Sequence, residues 1–168
     1  MTNKKVLIIT YYWPPAGGPG VQRVLKFVKY LPQFGWKPTV LTVESGEYQA
    51  VDFSMISEIP SDLEVRKTKS LDLYRVFKNF TGQKTIPTHQ LSQNSNDSIF
   101  IRISRWIRLN LVLPDGRIGW LPFAVRGGNK ILLKEKFDLI FSSGPPHSVH
   151  LIAKKLAIKF KLPWVADF

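Results

Sequence analysis

Residues 4–43 read KKVLIITYYWPPAGGPGVQRVLKFVKYLPQFGWKPTVLTV, and this stretch decides the fold. It opens with a short run of β-branched and leucine residues between polar neighbours, the pattern of a strand buried on both faces. Residues 11–20 hold six of the protein's prolines and glycines in close succession, which only a loop accommodates. From Val21 the period changes: Val21, Val24, Leu25, Val28 and Leu31 share one helical stripe, with Arg23, Lys26 and Lys29 off it. Pro32 and Gly35 end that helix, and residues 38–43 form a second strand.

The same alternation returns downstream. A third short strand begins at residues 63–65, a helix is expected over 121–136 although Gly127-Gly128 weakens it, and FDLIFSS at 137–143 is another buried strand. Gly144-Pro145-Pro146 breaks the chain, a helix with several lysines spans 147–160, and a strand starts at Leu162. Between these halves, residues 72–80 read as helical and 83–96 as a polar loop. Strand, Gly/Pro loop, helix, strand, repeated, is the order of an α/β protein with a doubly wound, mostly parallel sheet. Ligands of such sheets sit at the carboxyl ends of the strands where the winding reverses, which directs attention to residues 11–20 and 143–147.

Composition narrows the classes. A chain of 168 residues with 44% apolar content supports one well-buried domain. There is no Cys, so neither disulfides nor thiolate metal sites arise, and with no signal-peptide core behind Met1 a cytoplasmic location is expected. Lys and Arg number 24 against 12 acids, a net charge of +12 that favours anionic partners. P-loop, nucleophile-elbow and zinc-finger patterns are absent.

Three constellations carry chemistry. Gly17, Gly18 and Gly20 precede a helix, where exposed backbone and free N–H groups suit a phosphate or sugar hydroxyl. A nicotinamide fingerprint fails at its third glycine, because position 23 is Arg. His147 begins a helix after a buried strand, with His150 one turn on; either can hydrogen-bond a substrate hydroxyl or act as a base near neutral pH, and neither has a third ligand for a metal. Asp115 and Asp167 are the carboxylates nearest probable element ends, although a turn explains Asp115 without chemistry. Behind a Ser98 cap, residues 99–111 gather Arg102, Arg105 and Arg108 on one arc and, with Trp106, fit either an interfacial membrane helix or an ordinary surface helix. Trp13, Trp36 and Trp164 fall at junctions rather than on one basic stacking surface, so a nucleic-acid partner is not expected.

The segments KVLIITYYWPPAGGPGVQRVLKFVKYLPQFGWKPTVLT, LPDGRIGWLPFA and FDLIFSSGPPHSVHLIAKKLAIKFKLPWVADF together resemble the start of group 1 (family 4) glycosyltransferases of the GT-B fold, with a divergent middle from about Leu71 to Ser98. The resemblance implies retaining transfer of a sugar from a nucleotide-sugar donor to a glycan or lipid-linked acceptor, as in cell-envelope polysaccharide synthesis. It implies that residues 1–168 are the acceptor-side domain, without the donor-binding domain and so inactive alone. In its terms Gly17, Gly18 and Gly20 approach the donor or transferred sugar, His147 best matches the catalytic histidine, and no cofactor or metal is required; His150, Asp115 and Asp167 are the further candidate substrate contacts by their position. Docking on an anionic membrane through Arg102, Arg105, Trp106 and Arg108 fits the positive field.

Overall fold

The computed structural model describes residues 4–46, 48, 50–71 and 113–168. Strands β1 (Lys4–Thr10), β2 (Trp36–Val43), β3 (Glu64–Thr68), β4 (Leu139–Ser143) and β5 (Trp164–Asp167) form one sheet in the order β3-β2-β1-β4-β5. All four pairings are parallel. Helices α1 (Pro19–Tyr30), α2 (Leu121–Lys134) and α3 (Ser148–Phe160) connect them. The fold is α/β, Rossmann-like and doubly wound, and the sheet is wholly parallel in the described residues. The expected helix over residues 99–111, with Arg102, Arg105, Trp106 and Arg108, lies outside the described residues, as do the expectations for 72–80 and 83–96.

The pleat of β1 sorts the core into two layers. Leu7 and Ile9 face a cluster with Leu41, Trp120, Ile140, Ile152 and Leu156 beneath α2 and α3. Val6 and Ile8 face the opposite cluster, with Val21, Val24, Leu25, Val28 and Val40 beneath α1. Burial on both sides is why β1 and β2 read as continuous apolar runs rather than alternating ones.

Element ends moved by a residue or two from expectation, each for a local reason. Helix α1 starts at Pro19, whose missing N–H is no loss in the first turn. Helix α2 stops at Lys134 because Glu135 turns extended and its carboxylate takes the Lys5 ammonium at 2.5 Å. Strand β4 starts at Leu139, since Asp138 instead accepts from the Lys5 amide at 2.7 Å.

Gly127 and Gly128 are not merely weak points of α2. A Cβ at Gly128 would fall 2.4 Å from Leu156 Cδ1, and one at Gly127 would fall 2.5 Å from Thr68 Cγ2. The two glycines let α2 close on α3 and on β3 at once, and the modest helix propensity of glycine is offset by that packing.

Candidate functional site

Strand order reverses at β1: the chain moves outward through β2 and β3, then returns to add β4 and β5 on the other side. The crevice of such a sheet lies between β1 and β4, whose carboxyl ends pair as Thr10 with Ser143. The glycine loop after β1 and the Gly-Pro-Pro-His loop after β4 therefore emerge side by side. The two sequence-derived loops share one rim.

Arg23 ties these loops together. From the first turns of α1, its Nη2 donates to the Gly144 carbonyl at 2.7 Å and to Ser143 Oγ at 3.1 Å. Its Nε lies 3.0 Å from Asp167 Oδ2, close enough for an ion pair but too poorly aimed for a hydrogen bond. Ser143 Oγ in turn donates to Asp167 at 2.7 Å. One guanidinium thus spans α1, the end of β4 and the end of β5, using the planar fork that lysine lacks. In the sequence Arg23 reads as a residue off the apolar stripe of α1 and as the one that breaks a dinucleotide fingerprint. The signal was its place one turn inside α1 on the rim side, where a long cation reaches the neighbouring loop.

The glycines divide by role. The Gly17 amide donates to the Ala50 carbonyl at 2.9 Å, and a Cβ there would meet Asp52 Cβ at 3.4 Å. Gly17 therefore serves the loop's own packing against residues 50–52. Gly18 has φ of 111°, a conformation L side chains rarely adopt, and a Cβ on either Gly18 or Gly20 would meet nothing within 4 Å. Backbone open to approach is found at these two.

Both candidate carboxylates have internal work. Asp115 accepts from the Ser148 amide at 2.7 Å and from the Arg117 amide at 2.9 Å. It occupies the amino end of α3, where the helix dipole favours negative charge, and so takes the place that a substrate anion would otherwise use. Asp167 is held by Arg23 and Ser143. The two histidines differ as well. His147 precedes α3 and is exposed, whereas His150 is buried to 7% relative exposure.

The surroundings of His150 fix its chemistry. Its Nδ1 is 2.9 Å from Ser142 Oγ on β4, and the same oxygen accepts from Trp164 Nε1 on β5 at 2.8 Å. The hydroxyl has one hydrogen, and among these partners only Nδ1 can accept it. The proton of a neutral imidazole is therefore assigned to Nε2 by the network. Nε2 is buried without a hydrogen-bond partner, 2.9 Å from where a Gly144 Cβ would stand. Burial, then the nearby His147, lowers the His150 pKa below its ordinary value, while Asp167 and Asp115 pull it weakly upward. The Phe168 ring lies 4.4 Å from the His150 ring. A neutral, oriented, unpaired N–H donor beside a glycine can hold a hydroxyl or phosphoryl oxygen, and exposed His147 nearby can exchange protons with solvent.

Among the described residues no cluster of three or more His, Asp or Glu could hold a metal, and no helix is long and apolar enough to cross a membrane. No protein-family model matches the chain, and no curated protein does. Among solved structures it is similar to the C-terminal domain of a hydrogenase from Pyrococcus furiosus, at 14% identity and a TM-score of 0.50, across 100% of this chain and 93% of that one. At that identity the likeness speaks for the α/β fold alone.

Proposed function

We propose that this domain forms the acceptor-side wall of a nucleotide-sugar glycosyltransferase. The observation that carries the reading is the junction at the sheet's reversal point, where Arg23 clamps the glycine loop's helix to the loop of Gly144 and His147 that leads into α3 and His150. Open backbone at Gly18 and Gly20 admits a sugar or phosphate, and the His150 Nε2–H supplies a directed donor. The resemblance of the glycine and Pro-Pro-His segments to group 1 glycosyltransferases supports the same assignment.

In this reading His150 is the better substrate-orienting histidine and His147 the proton carrier. Asp115 and Asp167 act as positioning groups rather than substrate ligands, because their oxygens already hold Ser148, Ser143 and Arg23. Transfer requires cationic groups on the departing diphosphate from a second domain closing the cleft. The test is titration of the isotopically labelled domain with short glycan acceptors and with nucleotide sugars, followed by amide shifts. Acceptors should perturb Gly18, Gly20, Gly144 and Ser148, and the domain alone should show no turnover. Shifts confined to other surfaces, or sugar transfer by these 168 residues unaided, would overturn the proposal.

A further inference from the structure

A trench runs along the outer edge of the sheet, between edge strand β3 and helix α2, and encloses roughly 440 Å³. Its walls carry Arg66, Lys67, Lys69, Arg126, Lys130 and Lys134. All six are exposed. Arg126, Lys130 and Lys134 recur every fourth residue, so they line one face of α2 at intervals of about 6 Å along its axis. Two acids also line the trench, and both are already engaged: Glu64 with Arg66 and Glu135 with Lys5. Among the described residues, Lys67, Lys69 and the three cations of α2 form no salt bridge.

The stretch that joins β3 to α2 is itself poor in acids. Residues 72–112 contain two acids, Asp72 and Asp97, against Arg75, Lys78, Lys84, Arg102, Arg105 and Arg108. A row of cations in a concavity, without ion-pair partners among the described residues, concentrates an anion from outside. Because the charges are strung along the trench instead of converging on a point, they match an extended ligand with repeated charge and not a single phosphate.

We infer that this trench binds a linear acidic glycan, a polysaccharide chain bearing carboxylate or sulfate groups at regular intervals. The inference stands apart from the glycosyltransferase reading, since the trench shares no residue with the rim site. Single-stranded nucleic acid fits less well: among the described residues Phe123 is the one aromatic side chain lining the trench, and strand binding relies on successive bases stacked on aromatics. A bilayer fits less well too, because a planar headgroup layer reaches the lip of a trench and not its walls.

Fluorescence polarisation with a labelled heparin-derived octasaccharide tests the proposal, with an oligothymidylate of similar charge and phosphatidylglycerol vesicles as competing probes. The oligosaccharide should bind in a salt-dependent manner. Combining Arg126→Glu with Lys130→Glu should weaken it by roughly tenfold or more. The charge-matched pair Lys154→Glu and Lys155→Glu, exposed on α3 and outside the trench lining, should change it by less than about twofold. The milder pair Arg126→Gln and Lys130→Gln, checked for an unchanged melting curve, should show an intermediate loss. Equal losses in the trench and α3 pairs would refute a trench site. Tighter binding of oligothymidylate or vesicles, abolished by the trench pair, would refute the glycan.

Discussion

Replacing Ser142 with alanine tests the central network, because Ser142 Oγ is the hub between His150 and Trp164. Ser142 is fully buried, accepts from the Trp164 indole at 2.8 Å and faces His150 Nδ1 at 2.9 Å. Ser142→Ala removes one oxygen and strands two partners. A buried group left unsatisfied costs about 1–3 kcal/mol. Nδ1 sits in the buried part of the site, whereas the half-buried Trp164 N–H falls at the lower end of that range, so the loss should total about 2–4 kcal/mol. Trp164→Phe removes only the outer donor and leaves the Ser142–His150 bond, so it should cost about 1 kcal/mol. Urea unfolding gives both values from the shift in midpoint at constant slope. Long-range nitrogen NMR reads the tautomer directly: Nε2–H in the wild type and a mixture in Ser142→Ala. The reasoning fails if Ser142→Ala costs less than about 0.5 kcal/mol, if Trp164→Phe costs as much, or if the wild type carries its proton on Nδ1.

Other expectations follow from the same geometry. The His150 pKa lies below its usual 6.5, so the unfolded chain binds this proton more readily. Its contribution to stability is complete above that value and should fade as pH drops through the lowered folded-state pKa; urea titrations from neutral to mildly acidic pH should show that slope, and His150→Gln should flatten it. Arg23→Lys keeps the charge but loses the fork, and should cost about 1–2 kcal/mol while shifting the Ser143 and Gly144 amide resonances; unchanged resonances would contradict the clamp. Gly128→Val should destabilise by about 2–3 kcal/mol through overpacking against Leu156, whereas Gly116→Ala, whose Cβ would meet nothing within 4 Å, should be neutral in the same melts. Asp115→Ala should cost about 1–2 kcal/mol by uncapping α3, read by urea unfolding.

The parts legible from sequence were those governed by local periodicity. The apolar run of β1, the stripe from Val21 to Val28 and the breaks at Pro32 and Gly144 each declare an element without help from distant residues. Parallel order followed because helices lie between strands. What stayed hidden depends on contacts across the chain. Arg23 looked like a solvated helix residue because its partners are 120 or more residues away. His147 and His150 looked interchangeable, since nothing in HSVH reveals that Ser142 and Trp164 enclose one ring and leave the other open. Gly127 and Gly128 carry the same spelling whether they loosen a helix or admit a neighbour, and only the positions of Leu156 and Thr68 decide which.

Among the described residues the sheet is clad unequally, with α2 and α3 on one face and α1, aided by the 3-10 turn Phe53–Glu58, on the other. Partial opening of a protein follows its least-buried cooperative unit, so native-state hydrogen exchange should release α1 ahead of the opposite layer. Lifting α1 takes Arg23 away from the β4 and β5 ends while the strands remain paired. Warming should therefore dismantle the rim before circular dichroism registers any loss of secondary structure, and ligand recognition would be the more sensitive thermometer of this fold.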